Sequence, residues 1–594
     1  MARREPGWLL ALVLLAALAR PAAGADPAPP PSARPAPAPV PSEFEAAFGV
    51  GDELLGRLEA RGVRADPWRA GRTPTMSRHG LVASSSALAS QAGLDALRRG
   101  GSAMDAAVAA AAVLNVVEPM STGIGGDAFF LYYEAKTGRV YGLNGSGRSP
   151  SGLSREHFAE KGLERVPESG WEAVTVPGAV DAWGEGLERF GRLPLAELLA
   201  PAIAYAEQGF PVTEIVSYHW KSHEEELRRD PWSSRHYLFD GRAPEMASVV
   251  QLPALARSLR QLAEGGRDAF YRGPIAREIV RIAQESGGFL SLEDFAAHRS
   301  TWVEPLHVSY RGHEVYQIPP NGQGIGVLMM LKVLAGFDLR ALGFDTPATL
   351  HTLIEAKKLV YADLAAYVAD PERAELPVDY LLSEEYAASR RARIDPARAA
   401  AEVLPAELPA GHDTVYLASI DREGNACSFI NSVYDGFGSK ITGGETGIVL
   451  QNRGAGFTLE PGHRNEYAPG KRPFHTIIPG LVLRDGKLAL AYGLMGGAMQ
   501  PQGHVQLLLH HLDFGLGIQE AVDVPRWFHA QGRIVLVEHG TPRATIEALR
   551  GLGHEVHPAG LRFFGGAQVV QVHPETGVYL GASDPRKDGA ALGY

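Results

Sequence analysis

The fold is decided by residues 411–434, which read GHDTVYLASIDREGNACSFINSVY. Residues 414–420 and 426–433 are rich in β-branched and apolar side chains and flank the turn sequence DREGN, so they predict a β-hairpin. Residues 481–492 repeat this arrangement around Asp485-Gly486. The two hairpins lie in separate segments with helical patterns before and after them. This order predicts a layered α+β fold with packed sheets rather than alternating βαβ units.

On both sides of this hairpin the sequence predicts further strands and helices. The strongest helical pattern covers residues 348–368, and most of residues 183–384 predict helices that form a covering layer. An Ala/Pro/Glu-rich passage at residues 396–411 predicts a flexible linker. The other predicted elements are a strand at Leu81–Ser85, helices at Ala87–Arg99 and Ala103–Val116, a glycine-rich loop at Ser121–Asp127, strands at Ala128–Tyr133 and Arg139–Leu143, and a helix starting near Gln502 and ending at Leu512.

Composition excludes several classes of protein. Of the 594 residues, 45% are hydrophobic and 21% are charged, which excludes disorder, collagen and coiled coil for the bulk of the chain. The 57 Lys and Arg against 68 Asp and Glu give a net charge of −11, so we expect no nucleic-acid partner. The single cysteine, Cys427, excludes an intramolecular disulfide and CxxC sites, and its apolar neighbours favour a buried structural role.

The N-terminus has the pattern of a signal peptide. Arg3 and Arg4 precede an apolar run at residues 8–18, and small residues follow up to Ala25. We expect cleavage after Ala25 and an exported protein, periplasmic or secreted. The alternative is an uncleaved membrane anchor, but the run is shorter than the roughly 20 residues of a membrane span, so we expect no stable membrane insertion. Residues 26–42 alternate Pro with Ala, which predicts a Pro-rich spacer.

One familiar motif occurs in the wrong structural context, and several others do not occur in the sequence. Residues 123–128, GIGGDA, fit the dinucleotide pattern G-x-G-x-x-A but precede a predicted strand, so a tight loop is favoured. The sequence has no Walker A, H-E-x-x-H or G-x-S-x-G motif, and the neighbouring histidines His504, His510 and His511 lack i, i+4 spacing. We therefore expect neither a metal nor a cofactor.

Thr414 lies where the predicted linker runs directly into a strand. Taken alone, a threonine at a strand start reflects β-propensity. The same arrangement suits an autoprocessed N-terminal nucleophile, in which Thr414 Oγ1 attacks the Asp413 carbonyl carbon, the resulting ester is hydrolysed, and the freed amine lies beside its own hydroxyl. An α-amine has a pKa of about 7.7 to 8.0, so near neutral pH it can accept the hydroxyl proton. Spacing alone leaves both interpretations open.

Eight ordered blocks decide between them: GSAMDAA at 101–107, GIGGD at 123–127, EAKK with YAD at 355–363, DT at 413–414, GETGI at 444–448, KRP at 471–473, GG at 496–497 and GASDPR at 581–586. Together they resemble the gamma-glutamyltranspeptidases (glutathione hydrolases) and their acylase relatives among the N-terminal nucleophile hydrolases. The resemblance implies a four-layer αββα sandwich made as a proenzyme. It also implies a large subunit of residues 43–413 and a small catalytic subunit of residues 414–594, both parts of one intertwined domain.

The resemblance also implies roles for individual residues. Thr414 matches the nucleophile, with autocleavage between Asp413 and Thr414. Ser432 lies where the family has a hydroxyl residue that hydrogen-bonds the nucleophile. Gly496 and Gly497 match the glycine pair whose N–H groups form the oxyanion hole, each donor of which is typically worth about 3 kcal/mol.

Substrate recognition departs from the well-studied transpeptidases at every matching position. Ser146 replaces the arginine that binds the glutamyl α-carboxylate, with Arg148 two residues further on. Tyr434 replaces an asparagine, Arg453 replaces a glutamine, and Gly456 replaces the aspartate that binds the α-amine. Losing that carboxylate removes a charge-assisted hydrogen bond of about 1.5 to 3 kcal/mol, so we expect weaker selection for a free α-amine.

A carboxylate on the substrate can still be bound. Arg148 and Arg453 are candidates because guanidinium groups match carboxylates bidentately, although either can instead be a solvated charge or a structural ion pair. His475-Thr476 replaces the family's serine pair and keeps one hydroxyl, while residues 457–472 are too few for the lid loop of some members. We expect a more open pocket.

These residues predict an exported, self-cleaving threonine hydrolase with large and small subunits from one chain. By resemblance it cleaves γ-glutamyl amides, glutathione by default, and passes the acyl group to water more readily than to an amine. One alternative is an amidohydrolase or acylase of dicarboxylic monoamides without strict glutamyl selectivity. The other is a non-catalytic periplasmic binding protein that retains the fold.

Overall fold

The hairpin predicted at residues 414–433 lies at the centre of a larger sheet. The computed structural model describes residues 72–401, 413–560 and 563–594. The predicted signal peptide, the Pro-rich spacer, the start of the folded part at residue 43 and most of the predicted linker lie outside these ranges. None of the described helices is both long and apolar enough to cross a membrane.

The strands of the described residues are β1 (Thr75–Ser77), β2 (Leu81–Ser84), β3 (Asp127–Glu134), β4 (Arg139–Asn144), β5 (Phe210–Pro211), β6 (Val249–Val250), β7 (Thr301–Val303), β8 (Leu306–Tyr310), β9 (His313–Gln317), β10 (Asp413–Ile420), β11 (Ala426–Tyr434), β12 (Gly480–Arg484), β13 (Lys487–Met495), β14 (Trp527–Gln531), β15 (Ile534–Glu538), β16 (Glu555–Ala559), β17 (Gly566–Val572), β18 (Tyr579–Ser583) and β19 (Ala590–Gly593).

The helices of the described residues are α1 (Ala87–Arg98), α2 (Ala103–Val117), α3 (Arg155–Glu160), α4 (Ala179–Phe190), α5 (Leu195–Gln208), α6 (Glu214–Ser222), α7 (Glu224–Leu227), α8 (Pro231–Tyr237), α9 (Pro253–Tyr271), α10 (Pro274–Glu285), α11 (Leu292–Ala297), α12 (Ile325–Leu334), α13 (Leu339–Leu342), α14 (Pro347–Tyr367), α15 (Val378–Leu381), α16 (Glu384–Arg391), α17 (Met499–Leu512), α18 (Ile518–Asp523) and α19 (Arg543–Gly551). Short 3-10 turns occupy Trp171–Ala173, Gly444–Thr446 and Arg453–Gly456.

Two seven-stranded antiparallel sheets form the interior of the described part of the chain. The first sheet has the order β19-β2-β10-β11-β3-β4-β7, and the second has the order β1-β18-β17-β13-β12-β9-β8. Apolar side chains from both sheets, including Phe129, Tyr416, Leu481 and Val570, pack into one core between them. Each sheet therefore buries one face against the other.

Helices cover the outer face of each sheet. The alanine-rich α2 lies on the first sheet together with α1 and α4, and all of its residues are buried because small side chains allow close packing. Helices α12, α14 and α17 belong to the apolar core on the other side of the second sheet. The predicted four-layer αββα sandwich is confirmed.

The middle of the chain differs from its prediction in one respect. Residues 183–384 are mostly helical, as expected, but besides the two-residue strands β5 and β6 they contain β7, β8 and β9, of which β7 and β8 are edge strands of the two large sheets. These strands are three to five residues long, and charged or polar residues such as His313 and Glu314 interrupt their apolar pattern. Strand β7 pairs with β4 and β9 pairs with β12, both distant in sequence, while β8 pairs with β9 in a short hairpin. A local sequence pattern does not predict pairing with distant strands.

Candidate active site

Thr414 lies at the start of β10, opposite a bulge in β11. Asp413 pairs with Tyr434 and Val415 pairs with Asn431, so Thr414 alone faces two residues of β11, Ser432 and Val433. A bulge of this kind increases the local twist of the strands and re-aims the side chains around it. Thr414 is 1% exposed, and its Oγ1 donates a hydrogen bond to Ser432 Oγ over 3.1 Å. The predicted nucleophile thus has a buried hydroxyl of fixed orientation.

Ser432 holds that hydroxyl from the neighbouring strand β11. Its Oγ also accepts a hydrogen bond from the backbone N–H of Tyr434 over 2.8 Å, and its side chain is fully buried. Two donors directed at one oxygen fix the position of that oxygen beside Thr414. The structure brings both residues together, whereas their catalytic roles stay predictions.

Gly496 and Gly497 connect the end of β13 to the N-terminus of α17. Their φ values of 120° and 54° are strained for any residue with a Cβ. The Gly496 carbonyl accepts a hydrogen bond from the N–H of Met499 over 2.8 Å. In a trans peptide the carbonyl of one residue and the N–H of the next point in opposite directions. Because the Gly496 carbonyl points into the helix, the N–H of Gly497 points away from it. The positive helix N-terminus makes this turn suitable for a developing negative charge.

The two sheets bring this turn to the same region as the nucleophile. A Cβ on Gly493 of β13 would lie 2.3 Å from the ring of Tyr416 in β10, so the two strands touch there. Thr414 lies two residues before that contact and Gly496 three residues after it. The predicted nucleophile thus lies in β10 and the predicted oxyanion glycines lie directly after β13, and these two strands pack face to face.

Arg453 is a buried cation that packs against Tyr434, the residue whose backbone N–H bonds to Ser432. Its guanidinium carbon lies 4.6 Å from the centroid of the Tyr434 ring, and its Nη1 donates a hydrogen bond to Thr476 Oγ1 over 2.7 Å. Its Nε and Nη2 are buried without a hydrogen-bond partner among the described residues. Burial lowers the pKa of Arg453 to about 10, although Asp127 and Tyr434 oppose this effect, so the side chain is charged at neutral pH. Two unused donors on a buried cation suit an incoming carboxylate.

Tyr434 forms the other side of this cluster. Its φ is +87°, an uncommon value for a bulky residue and one that often marks a functional position. Its hydroxyl is buried and has no hydrogen-bond partner within the described part of the chain. Burial raises the pKa of this phenol, so the hydroxyl keeps its proton and can donate.

Asp127 and His475 form a fully buried pair next to Thr476. His475 Nε2 lies 3.1 Å from Asp127 Oδ2, while Oδ1 accepts hydrogen bonds from two backbone N–H groups and from Gln451 Nε2. Burial raises the pKa of Asp127, but the hydrogen bond from His475, the charge of Arg453 and the hydrogen bond from Gln451 together lower it overall. Burial lowers the pKa of His475 to about 4, so the neutral ring donates its Nε2 proton to Asp127 at pH 7.

Arg148, the other candidate for a carboxylate, already has acidic partners. Its Nη2 lies 2.8 Å from Glu372, and its Nη1 lies 3.8 Å from Asp370. Arg472 also bonds to Glu372 over 3.1 Å. Arg148 is therefore already ion-paired, whereas Arg453 has two buried donors without a partner among the described residues, and the role of Arg148 in substrate binding stays a prediction that the geometry favours less.

The family model described as Gamma-glutamyltranspeptidase matches residues 89–594, which is most of the chain. The chain belongs to the gamma-glutamyltranspeptidase family. The resemblance inferred from the eight sequence blocks is confirmed, and with it an enzyme of the N-terminal nucleophile hydrolase fold.

Similar proteins of this family carry different activities in their names. The glutathione hydrolase-like YwrD proenzyme of Bacillus subtilis is 41% identical, covering 86% of this chain and 98% of that protein. The oxamate amidohydrolase proenzyme of Klebsiella pneumoniae is 38% identical, covering 87% and 99%. The crystal structure of cephalosporin acylase from Bacillus halodurans superposes with a TM-score of 0.84 at 42% identity, covering 89% and 98%. Membership in the gamma-glutamyltranspeptidase family therefore does not fix the substrate.

One further residue of the site had no signal in the sequence. Gln323 is fully buried, and its Nε2 donates hydrogen bonds to Thr476 O over 2.6 Å and to Gly497 O over 2.9 Å. It lies in the segment PPNGQG, which has neither charge nor periodicity. Asp127, in contrast, ends the GIGGD block and could have been found there.

A group of potential metal ligands lies elsewhere, in α14 and before β16. His351, Glu355 and His554 are buried, and their ligand atoms lie within 4.8 Å of one another. His351 Nδ1 and His554 Nε2 already share a hydrogen bond of 2.8 Å, and Lys358 Nζ lies 2.7 Å from Glu355. The ammonium group occupies the place next to the carboxylate that a cation would need, so this geometry favours an internal polar cluster.

Proposed function

We propose that this protein is an exported, self-processing amidohydrolase that uses Thr414 as an N-terminal nucleophile and cleaves amides of acids that carry a second carboxylate. The observation that carries the proposal is the series of contacts from Thr414 through Ser432 and Tyr434 to Arg453, whose guanidinium has two unused donors. A nucleophile and a buried cation in one cluster suit an acyl group whose far end is an anion.

Processing creates the catalyst in this proposal. Thr414 Oγ1 attacks the carbonyl carbon of Asp413, the Asp413–Thr414 amide bond breaks, and the nitrogen takes up a proton to become the free amine. Water then hydrolyses the ester, which returns the Thr414 hydroxyl and leaves Asp413 with a carboxylate. The bulge of β11 opposite Thr414 supports this step, because it distorts the strand pairing next to the Asp413–Thr414 bond. The proenzyme names of the similar proteins support it as well.

Turnover then follows two half-reactions. The Thr414 amine takes the hydroxyl proton as Oγ1 attacks the substrate amide carbon, and it returns that proton to the departing amine. The N–H groups at Gly496 and Gly497 stabilise the negative oxygen of each tetrahedral intermediate. Water attacks the acyl-threonine in the second half-reaction and releases the acid.

The acyl group of this proposal needs a carboxylate but not an α-amine. Gly456 replaces the family's amine-binding aspartate, and a Cβ there would lie 2.7 Å from the carbonyl oxygen of Phe474, so the position has no room for a longer side chain. The nearby carboxylates Asp127 and Asp435 are committed to His475 and to Lys440. A substrate ammonium would therefore lose its hydration without gaining a partner of opposite charge.

A γ-glutamyl amide such as glutathione is the second candidate. It is favoured by the 41% identity to the glutathione hydrolase-like protein of Bacillus subtilis and by 32% identity to the glutathione hydrolase proenzyme of Escherichia coli. The γ-glutamyl group also carries a carboxylate that Arg453 can bind. The two candidates differ in whether the α-amine improves or weakens binding.

Intact mass and N-terminal sequencing test processing. We expect wild-type protein expressed with its leader to lack residues 1–25 and to yield a fragment that begins at Thr414, while Thr414→Ala stays whole and Thr414→Ser is cleaved. A wild-type chain that remains uncut after long incubation would have no free amine at Thr414. The non-catalytic binding protein would then be the better interpretation.

Release of p-nitroaniline tests the acyl group. Glutaryl and γ-glutamyl anilides differ only in the α-amine, so their kcat/KM ratio isolates its contribution. We expect glutaryl to be preferred by about tenfold or more, the equivalent of one charge-assisted hydrogen bond that is not formed. A preference for γ-glutamyl would overturn the dicarboxylic assignment and make the glutathione hydrolase assignment the better one.

A further inference from the structure

Two loops line the positions proposed for the two ends of the substrate. Residues 474–476, here named the substrate loop, present Thr476 Oγ1 to Arg453. Residues 496–498, here named the oxyanion loop, contain the glycine pair. The distance between these loops determines how far the reacting carbonyl lies from a carboxylate bound at Arg453.

Gln323 connects these loops through one nitrogen atom. Its Nε2 donates to the carbonyl of Thr476 over 2.6 Å and to the carbonyl of Gly497 over 2.9 Å. Two carbonyl partners identify this atom as the amide nitrogen, since an oxygen there could bond to neither. The Oε1 atom of the same amide has no hydrogen-bond partner among the described residues, so contacts of the nitrogen orient the group.

The backbone around Gln323 is also hydrogen-bonded to the substrate loop. The N–H of Gln323 donates to His475 O over 2.9 Å, and the N–H of His475 donates to Asn321 O over 2.8 Å. His475 is itself held by Asp127. The substrate loop therefore moves together with Gln323. The side-chain amide of Gln323 couples the position of the substrate loop to that of the oxyanion loop.

Other side chains hold the oxyanion loop at its next residue. Tyr361 Oη donates to Ala498 O over 2.6 Å, and Gln502 Nε2 donates to the same carbonyl over 3.0 Å. Neither has a hydrogen bond to the substrate loop among the described residues. Gln323 thus differs from them because it touches both loops.

We propose that Gln323 is a positioning residue that fixes the spacing between the oxyanion glycines and Arg453 and thereby selects the length of the acyl group. This inference rests on the proposed function. A chain of the right length reaches Arg453 with its carbonyl carbon at Thr414, whereas one methylene more or less leaves one end misplaced. A change of one methylene in a fitted site typically alters kcat/KM by about 10- to 200-fold.

A series of ω-carboxyacyl p-nitroanilides tests the inference on processed protein. The series runs from oxalyl through malonyl, succinyl and glutaryl to adipyl. We expect wild type to show one optimal length. We expect Gln323→Met, which keeps the size of the side chain but has no donor, to lose about 10- to 100-fold in kcat/KM at that length and to discriminate neighbouring lengths by only about threefold.

Gln506→Met is the matched control. Gln506 is also buried, and its Nε2 also donates to two backbone carbonyls, those of Gln502 over 3.1 Å and Trp527 over 3.0 Å, but it touches neither loop. We expect this variant to lower the melting temperature about as much as Gln323→Met while keeping the wild-type length profile. If both variants flattened the profile equally, general loosening would explain the effect and the inference would be wrong.

Two further outcomes separate this inference from the proposed function. Processed wild type that hydrolyses no anilide of the series would overturn both. Wild type with a sharp optimum that Gln323→Met retains would leave the proposed function standing and overturn the role of Gln323. If Gln323→Met fails to process, Gln323→Asn carries the test, because it keeps the donors but shortens their reach by one methylene, and a length profile unchanged from wild type would contradict the inference.

Discussion

Ser432 fixes the hydroxyl of Thr414, so its removal should affect chemistry more than folding. Ser432→Ala deletes the acceptor of the 3.1 Å hydrogen bond from Thr414 Oγ1 and so weakens the orientation of the nucleophile. We expect slower self-cleavage and a kcat lower by about 10- to 100-fold with little change in KM, since misplacement of a reacting group has costs of this order. The readouts are the cleavage half-time and Michaelis constants on the preferred anilide.

Ser428→Ala is the control for that prediction. Ser428 lies in the same strand, four residues earlier, is fully buried, and bonds to the hydroxyl of Tyr416 over 2.7 Å. Its loss should lower the melting temperature without a selective loss of kcat. Equal kinetic losses in both variants would mean that Ser432 acts only through packing.

Arg453 should determine affinity for a carboxylate. Arg453→Met keeps an unbranched apolar chain but removes the cation and its two unused donors. We expect KM for glutaryl anilide to rise by about 10- to 100-fold, the equivalent of one charge-assisted hydrogen bond, while butyryl anilide, which lacks the carboxylate, changes much less. An equal effect on both anilides would show that Arg453 does not bind the carboxylate.

The pH dependence of KM gives a second measure of the same residue. The pKa of Arg453 is about 10 because burial lowers it, so the cation persists through pH 9 and is lost as the pH rises through 10. We expect the wild-type KM for glutaryl anilide to be flat between pH 8.5 and 9 and to increase above that range. KM of Arg453→Met should not show this rise.

At the scale of elements, the contact between β10 and β13 requires a glycine. A Cβ on Gly493 would lie 2.3 Å from the Tyr416 ring, so Gly493→Ala forces the two sheets apart next to Thr414. We expect a loss of about 1 to 3 kcal/mol in the free energy of unfolding, as for other overpacked cores, measured by urea denaturation. Gly551→Ala is the control, since nothing lies within 4 Å of a Cβ there, and it should be neutral or slightly stabilising.

An element could be predicted from the sequence where the residues that determine it lie within one short segment. The hairpin of β10 and β11 has alternating apolar residues and a turn within one segment, and its strands match the prediction to within a residue. Strands β8 and β9 were missed: they pair with each other in a short hairpin of weak apolar pattern, and β9 joins the sheet through distant β12. The roles of Thr414 and Ser432 were predicted from the family resemblance. Gln323, in contrast, bonds to two backbone carbonyls, and a sequence pattern does not predict such contacts.

Across the whole molecule, buried neutral histidines should make the fold sensitive to acid. Burial lowers the pKa values of His298 and His475 to about 4 and those of His504 and His554 to about 3. The unfolded values are near 6.5, so between pH 6.5 and pH 4 the unfolded chain binds more protons and stability falls as the pH falls. We expect a lower urea midpoint at pH 5 than at pH 7.5, with a smaller difference in His554→Gln. Equal midpoints would contradict these pKa shifts.

The arrangement of strands predicts that the two subunits stay together after cleavage. In the first sheet β2, β3, β4 and β7 precede Thr414 in sequence, while β10, β11 and β19 follow it, and β10 lies directly between β2 and β11. The second sheet mixes strands from both sides in the same way. Separation would expose both sheet edges and the apolar core, so it requires unfolding. We expect cleaved wild type and uncleaved Thr414→Ala to elute at the same volume in size-exclusion chromatography, with two fragments appearing only under denaturing electrophoresis. Fragments that separated in neutral buffer would show that the two halves of the chain do not share one core.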